Sequence, residues 1–425
     1  MKFGNMGPGM LGHCDEFFCN FEITFVVATY FGYEFGFFIH RVDFERWDAS
    51  YNTKIQKMGS NAIFLSAMSV FSRCMGPGSP SISLNALQLQ KRDAVNEKVE
   101  KGVYGFESVP CACCGSVDSE LISERDRYGL FFSVQLCKGC GMVYTSPRMT
   151  DAAYGEFYDN EYRPLYVGSE RATDDFFAEQ RNQGRRIYDF LRGAGVMRDS
   201  MKIVEVGCGA GGILDFFRSE GHAVLGIDLG SEYVAYGRDV HGLDLRVCML
   251  SDLALDFVPD LVIYSHVMEH ILHPLDEMKN IAKVSGSNTL VYIEVPGLKN
   301  IHKSYAMDVM KYYQNAHSYH FTLGSLRHLM ESAGFTLVSG MEYVRSIFKL
   351  NTISNGAPGL AGDDTTKSVD SGVNGENGRG GVATFNEYDS IRSYLVWNER
   401  YRWVFPLTVS GLKQRAKRWK KRLLG

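Results

Sequence analysis

Short apolar runs alternate with amphipathic stretches through residues 151–350. The runs "LVIYS" and "TLVYIEV" are apolar almost throughout and rich in β-branched residues, as strands buried on both faces must be. Between them, "HPLDEMKNIAKVSG" has its apolar residues at helical spacing. Alternation of strands and helices predicts an α/β fold, in which helices cover both faces of a parallel sheet.

Four other segments surround this region. Residues 1–105 are rich in Phe, Tyr, Met and Gly without a clear period, so we assign them no role; an internal Met start is one explanation for them. Residues 106–150 contain a cysteine cluster. Residues 351–385 are rich in Gly, Asn, Asp and Ser, which predicts a flexible linker. Residues 386–425 have a helical pattern and become basic at the end.

The apolar stretch at residues 21–40 does not have the pattern of a membrane span. Glu22, Glu34 and two glycines interrupt it, and a carboxylate in hydrocarbon costs about 2–3 kcal/mol. No charged segment followed by an apolar one opens the chain, so we predict no secretory signal and a cytoplasmic location. The net charge of −4 gives no reason to expect a nucleic-acid partner.

The segment "LKQRAKRWKKRLLG" near the end carries seven Lys and Arg and no acid. On a helix, Leu412, Ala416, Trp419 and Leu423 would form one apolar stripe bordered by the basic residues. A basic amphipathic helix with Trp favours peripheral contact with an anionic membrane surface or a polyanion. A solvated tail is the alternative that composition alone leaves open.

Five of the ten cysteines lie between residues 111 and 140, in a chain of 425 residues whose length predicts two or three domains. "CACCG" and "CKGCG" each contain C-x-x-C followed by Gly, with 22 residues between the pairs. This spacing predicts a structural Zn²⁺ with no open coordination position. Cys113 is an additional thiol, and buried thiols or a redox pair are the alternatives. The predicted ligands are Cys111, Cys114, Cys137 and Cys140.

The stretch "KIVEVGCGAGG", residues 202–212, is an apolar strand that runs into a glycine cluster. Gly207, Gly209 and Gly212 fit the dinucleotide pattern G-x-G-x-x-G. With Gly211 in place of Gly212, and Glu205 two residues before the first glycine, the pattern is acidic-x-G-x-G-x-G. An acid here suits the cationic groups of S-adenosylmethionine better than a pyrophosphate. A turn without a ligand is the third interpretation.

The next apolar strand, "HAVLGID", ends at Asp228, which lies 21 residues after Gly207. A carboxylate at the end of the second strand accepts hydrogen bonds from ribose hydroxyls. Because a dinucleotide and S-adenosylmethionine both contain that ribose, Asp228 predicts a nucleoside without choosing between the two cofactors.

Three further segments follow in order: "VPDLVIYSHVMEHILHP", "TLVYIEVPG" and "NAHSYHFTLGSLRHLMESAGF". With them, residues 108–350 resemble the class I S-adenosylmethionine-dependent methyltransferases. More narrowly, they resemble the zinc-binding subgroup of sugar and polysaccharide biosynthesis, which includes deoxysugar C-methyltransferases. The resemblance implies a Rossmann-like, mostly parallel sheet of seven strands with a small N-terminal zinc-binding module.

The resemblance also implies how the cofactor is held. The glycine turn cradles the methionine half, the acid after the second strand holds the ribose, and the acid after the third strand lies near the adenine. Ser265 and His266 are candidates to contact the methionine end. The other cofactor-binding candidates are Glu205, Gly207, Gly209, Gly211, Asp228 and Asp252.

Methyl transfer is an in-line displacement at the sulfonium carbon, and a general base adds about 10²–10⁴-fold to its rate. Ligands bind at the carboxyl edge of such sheets, so the base is expected there. We favour His317, with His320, His270 and Glu269 behind it. "HVMEH" also matches the H-x-x-E-H peptidase signature, but a strand runs directly into it where that signature needs a helix.

The sequence therefore predicts an enzyme that transfers a methyl group from S-adenosylmethionine to a sugar or related small molecule, within polysaccharide or glycan biosynthesis. An RNA or protein methyltransferase and a non-catalytic cofactor-binding module are the alternatives, followed by a nicotinamide oxidoreductase.

Overall fold

The computed structural model describes residues 70–169, 171–351 and 385–403, and before them the backbone of two strands. These strands, β1 (Thr24–Phe31) and β2 (Glu34–Arg41), pair antiparallel within a unit formed by residues 1–69. The apolar stretch at residues 21–40 thus contains strands. Among the described residues, no helix has the length and apolar character needed to cross a bilayer.

The second unit begins at residue 70 and contains two larger sheets. Its strands are β3 (Phe106–Glu107), β4 (Ser119–Arg125), β5 (Phe131–Cys137), β6 (Val143–Thr145), β7 (Arg148–Met149), β8 (Lys202–Val206), β9 (Ala223–Asp228), β10 (Leu245–Val247), β11 (Leu261–Ser265), β12 (Leu290–Glu294), β13 (Tyr319–His320), β14 (Phe335–Met341) and β15 (Arg345–Leu350).

The main sheet has seven strands in the order β10-β9-β8-β11-β12-β15-β14. The five strands from β8 to β12 run parallel, and β15 pairs antiparallel with both of its neighbours. The central strands β8 and β11 are almost completely buried, which explains the apolar run of β11 and the apolar residues on either side of Glu205 in β8. The predicted α/β fold with a mostly parallel sheet of seven strands is confirmed.

Helices cover both faces of this sheet, as predicted. The helices of the second unit are α1 (Ala86–Glu100), α2 (Asp151–Phe157), α3 (Arg163–Val167), α4 (Asp174–Gly193), α5 (Gly212–Ser219), α6 (Ser231–His241), α7 (Pro274–Val284), α8 (Ile301–Ser304), α9 (Val309–Tyr312), α10 (Leu323–Ser332) and α11 (Tyr388–Tyr401). One core contains apolar side chains of α4, α5 and α6, and another contains those of α7 and α10. A π-helical turn, Tyr158–Tyr162, joins α2 to α3.

The cysteine segment shares a sheet with a later part of the chain. Strands β4, β5 and β6 are antiparallel, and β13 adds a fourth strand beside β6, with Tyr319 opposite Tyr144 and His320 opposite Val143. Cys111 and Cys137 lie in the same hydrophobic core as Leu326 and Leu329 of α10. The cysteine segment is therefore packed continuously with the main sheet.

Segments that precede the cysteine segment and follow the predicted linker in the chain also pack within this unit. Val95 of α1 packs in one core with Phe157 of α2, and Leu395 of α11 packs in one core with Phe132 of β5. The helix α11 lies in the segment predicted to be helical. Most of the predicted linker, residues 352–384, and the basic stripe within residues 404–425 lie outside the described residues.

Candidate functional site

The turn between β8 and α5 depends on glycine at each predicted position. Gly207, Gly209 and Gly211 have φ values of 71°, 56° and 80°, a left-handed conformation that other residues rarely adopt. At Gly212, a Cβ would lie 2.5 Å from the carbonyl oxygen of Phe177. Both glycine patterns therefore have a steric basis, and the turn by itself does not select a cofactor.

Two carboxylates lie beside this turn. Glu205 is 1% exposed, and its Oε2 has no hydrogen-bond partner among the described residues. Burial, with the nearby charge of Asp228, raises the pKa of Glu205 well above its usual value. Asp228 accepts hydrogen bonds from the backbone N–H groups of Gly209 at 2.8 Å and Gly230 at 2.7 Å. Asp228 thus fixes the turn itself, a role that the sequence did not indicate.

Sequence reasoning also missed Arg163, which follows the π-helical turn. Its guanidinium lies 3.3 Å from the Asp228 carboxylate and over the ring of Tyr233. In the same turn, the hydroxyl of Tyr158 lies 2.8 Å from Nδ1 of His270. One short segment therefore contacts both the predicted ribose-binding acid and one of the predicted catalytic histidines, His270. No local pattern marks it, because its partners are distant in the chain.

The other cofactor candidates lie at the same carboxyl edge. Asp252 is exposed and ends a short 3₁₀ segment after β10. Ser265 is the last residue of β11, and His266 follows it with a left-handed φ of 58° and a side chain 48% exposed. Because β11 lies directly beside β8, these residues are close to the glycine turn.

Three of the four predicted catalytic residues meet in a buried cluster. Glu269 is 2% exposed, and neither of its carboxylate oxygens has a hydrogen bond within the described part of the chain. Its Oε1 lies 3.5 Å from Nδ1 of His266 and 3.8 Å from Nε2 of His270. The ring of His317 stands perpendicular to that of His270, with ring centres 4.7 Å apart.

The surroundings shift the pKa values of His317 and His266 in opposite directions. Burial lowers the pKa of His317 well below its usual value, and the neighbouring His270 lowers it further. The adjacent carboxylate of Glu269, by contrast, raises the pKa of His266. The cluster therefore combines a neutral imidazole with one that protonates more easily.

The fourth catalytic candidate, His320, does not reach this cluster. Its ring is 1% exposed and packs among the rings of Phe132, Tyr312 and Tyr313. Neither ring nitrogen has a hydrogen bond among the described residues, and burial lowers the pKa to about 3. The ring centre of His320 lies 6.1 Å from that of His317. This packing favours a structural role for His320.

The four predicted cysteine ligands converge. Their sulfur atoms all lie within 4.8 Å of one another, with Cys111–Cys140 and Cys114–Cys137 each at 3.5 Å. Zn–S bonds of about 2.3 Å place tetrahedral thiolates about 3.8 Å apart, so the site fits Zn²⁺. The thiol of Cys113 is directed at the carbonyl oxygen of Ser325, 3.8 Å away, and lies outside this group.

Comparison with known proteins identifies the domain that carries the glycine turn and the histidine cluster. Residues 177–340 match the family model described as a methyltransferase domain. With the seven-stranded sheet, this segment is a class I S-adenosylmethionine-dependent methyltransferase domain with a Rossmann-like fold. This match supports S-adenosylmethionine over a dinucleotide as the cofactor. No curated protein shows significant sequence similarity to the chain.

Several solved structures resemble parts of the chain. A TehB-like SAM-dependent methyltransferase from Corynebacterium glutamicum is 20% identical, with 47% of this chain and 100% of that one covered and a TM-score of 0.30. A SAM-dependent methyltransferase from Aquifex aeolicus is 17% identical, with 38% and 87% covered and a TM-score of 0.31. One from Archaeoglobus fulgidus is 18% identical, with 42% and 74% covered and a TM-score of 0.32.

Gln180 of α4 anchors the glycine turn, and its removal is expected to weaken S-adenosylmethionine binding. Its amide nitrogen donates to the carbonyl of Cys208 at 3.0 Å, and its oxygen accepts from the N–H of Gly212 at 3.3 Å. Each such bond is worth about 1 kcal/mol. Gln180→Ala should therefore raise the Kd for S-adenosylmethionine about 5–30-fold in calorimetry. Glu179→Ala, on the exposed side of the same helix, should leave the Kd unchanged; an equal effect would contradict the anchoring role.

Proposed function

We propose that this chain transfers a methyl group from S-adenosylmethionine to a hydroxyl or acidic carbon of a sugar or related small molecule in glycan biosynthesis. The observation that most directly supports this proposal is the contact between the glycine turn and the histidine–glutamate cluster. A Cβ at Gly207 would lie 2.4 Å from the side chain of Val267, which sits between His266 and Glu269. Cofactor turn and acid–base groups therefore share one edge of the sheet.

In this proposal, the two carboxylates beside the turn receive the cofactor. Glu205 offers an unpartnered oxygen, within the described residues, for a donor such as the methionine amino group. Asp228 accepts from the ribose hydroxyls and holds the turn in place, while Asp252 lies toward the adenine and His266 toward the methionine end. When bound, S-adenosylmethionine supplies an electrophilic methyl group on a sulfonium centre.

His317 is the proposed proton acceptor for the methylated group. Burial keeps its imidazole neutral, so a ring nitrogen can take a proton from the acceptor. The carboxylate of Glu269 would offset the positive charge that then develops on the histidine pair. Nδ1 of His270 lies within hydrogen-bonding distance of the Tyr158 hydroxyl, at 2.8 Å, and of the carbonyl oxygen of Ala316, at 3.0 Å. These contacts orient the ring.

The proposed acceptor site is a cleft lined by residues of the cysteine-module sheet and of the methyltransferase domain. Phe131 and Phe132 line one part of it, and Arg148, Asn315 and Ser318 supply polar groups. Aromatic faces beside a few polar groups suit a sugar ring. Ser318 directly follows His317, so the cleft adjoins the proposed base.

The four-cysteine group is proposed to hold a structural Zn²⁺. All four ligands are thiolates, which leaves no open position for substrate. Its effect on the reaction is through position: the backbone N–H of Thr145 in β6 donates to the carbonyl of Ser318 at 3.0 Å, and the Thr145 hydroxyl donates to the carbonyl of His317 at 3.0 Å. The module thus sets the backbone that carries the proposed base.

Titration of the purified chain with S-adenosylmethionine and, separately, NADH tests this proposal. Binding of the methyl donor alone is expected, and Asp228→Asn should weaken it about 10–100-fold, because a hydrogen bond to a charged group contributes about 1.5–3 kcal/mol. Asp239→Asn, on the exposed end of α6, is the matched control. Thermal unfolding shows whether Asp228→Asn also loosens the turn.

The acceptor is then sought among nucleotide sugars and glycans, with RNA and protein as comparison substrates. Methylation of RNA or protein at a higher kcat/KM than any sugar would overturn the acceptor class. Binding of NADH without S-adenosylmethionine would overturn the methyl-transfer proposal itself.

A further inference from the structure

We propose that Glu269, His270 and His317 together bind a divalent transition-metal ion, as a second metal site distinct from the four cysteines. The three side chains each offer one ligand atom, and these atoms all lie within 4.8 Å of one another. Glu269 and His270 belong to a short 3₁₀ turn after β11, whereas His317 comes from the segment just before β13. Two imidazoles and one carboxylate form a donor set that suits Fe²⁺, Mn²⁺, Co²⁺ or Zn²⁺.

The first support is the unsatisfied carboxylate of Glu269. The residue is 2% exposed, and neither oxygen receives a hydrogen bond from any described residue. A buried carboxylate without a partner is costly, and such groups in proteins are paired or coordinate metals. The ring nitrogens of His266 and His270 lie 3.5 Å and 3.8 Å from its Oε1, distances that are too long for good hydrogen bonds. A cation between these atoms would satisfy the carboxylate.

The second support is the tautomer of His270. Its Nδ1 lies 3.0 Å from the carbonyl oxygen of Ala316, and a carbonyl oxygen can only accept. A proton on Nδ1 satisfies this carbonyl, and the Tyr158 hydroxyl, 2.8 Å from the same nitrogen, can accept as well. In that tautomer the lone pair of the neutral ring is on Nε2. Nε2 is the nitrogen directed toward Glu269, at 3.8 Å from Oε1. A histidine whose second nitrogen donates to a backbone carbonyl is the usual arrangement of a metal ligand.

The third support is that the backbone of His317 is fixed by hydrogen bonds to residues that do not belong to the cluster. Its backbone carbonyl accepts from the Thr145 hydroxyl, and its N–H donates to the carbonyl of Gln314 at 2.9 Å. Its ring is buried yet stands beside that of His270 rather than packing flat against it. The backbone thus keeps the imidazole beside the other two ligands without using the ring itself.

Three protein ligands leave coordination positions open, in contrast to the closed four-cysteine site. In the setting of the proposed function, on which this role rests, an open position would take an oxygen of the acceptor. His317 would then act as a ligand rather than as the proton acceptor. The metal site itself depends only on the three side chains and requires neither cofactor nor acceptor.

The test measures metal bound to the full chain in the absence of S-adenosylmethionine and acceptor. Protein that carries one equivalent of Zn²⁺ is titrated with Co²⁺ or Mn²⁺ by calorimetry, and bound metal is counted by elemental analysis after dialysis. The wild-type chain should take up a second equivalent. Glu269→Gln and His317→Gln should each lose that equivalent and retain the first, whereas His273→Gln, an exposed neighbour, should retain both.

Cobalt gives an independent reading on the unaltered chain, in case a variant does not fold. Co²⁺ bound by imidazole and carboxylate lacks the intense thiolate charge-transfer absorption of a cysteine site. If the Co²⁺ that binds beside the occupied cysteine site shows only that weaker absorption, the result supports the proposal. Saturation at one equivalent in the wild type, or a second equivalent that survives in both Glu269→Gln and His317→Gln, overturns it. Because no methyl donor is present, either result is separate from the outcome of the S-adenosylmethionine titration.

Discussion

Replacing Cys137 by Ser is expected to release zinc, destabilise the cysteine module and abolish methyl transfer. Cys137 ends β5, is fully buried and lies 3.5 Å from the sulfur of Cys114. Structural Zn²⁺ contributes about 10–16 kcal/mol in small zinc-binding peptides. Loss of one of four thiolates should therefore lower the free energy of unfolding by about 4 kcal/mol or more, which is exceptional for one substitution. Zinc content, thermal unfolding and methyl transfer are measured on the same preparation.

Cys113→Ser is the matched control, since Cys113 lies in the turn that contains Cys111 and Cys114 but outside the group of four. Its thiol makes a long contact with the carbonyl of Ser325, so the expected change in the free energy of unfolding is within about 1 kcal/mol. Zinc should remain bound. If Cys113→Ser loses zinc while Cys137→Ser keeps it, the ligand set is wrong.

The effect on activity should exceed what local unfolding alone would cause. Strand β13 lies beside β6, and Thr145 of β6 bonds to the carbonyls of both His317 and Ser318. Loss of the metal therefore displaces the backbone under the proposed catalytic residue. Binding of S-adenosylmethionine, which is expected to depend on the glycine turn and its two carboxylates, should be reduced far less than methyl transfer.

The parts of this molecule that the sequence predicted are those with local causes. "LVIYS" is β11 residue for residue, and β12 lies within "TLVYIEV", because strands buried on both faces must be apolar throughout. The glycine turn follows from left-handed backbone at Gly207, Gly209 and Gly211. The cysteine group follows from two C-x-x-C-G turns, in which Gly115 and Gly141 have φ values of 72° and 85°.

The parts that the sequence did not predict depend on contacts between distant residues. The contact of Arg163 with Asp228 spans 65 positions, and that of Tyr158 with His270 spans 112. No period or spacing encodes either one. His317 and His320 are only three residues apart in the same polar segment, yet one joins the cluster and the other packs among aromatic rings. Only tertiary packing separates them, so the sequence offered both as bases.

His317→Gln is expected to lower kcat by about 10²–10⁴-fold, the range associated with loss of a general base. Glutamine is uncharged and of similar size, so packing beside His270 should be largely kept. His317 does not belong to the glycine turn or its two carboxylates, so the Kd for S-adenosylmethionine should change by less than about threefold, or roughly 0.7 kcal/mol. The measurement is kcat at saturating methyl donor, with His273→Gln as the control.

The same variant distinguishes the two roles available to this histidine. If His317 takes the proton directly, added divalent metal should leave kcat of His317→Gln unchanged, and chelators that leave the zinc in place should not affect the wild type. If His317 is a ligand, those chelators should inactivate the wild type, and added divalent metal should restore part of kcat to His317→Gln. An unchanged kcat in His317→Gln would remove this residue from the reaction in either role, and the half-exposed His266 beside Glu269 would become the side chain to test.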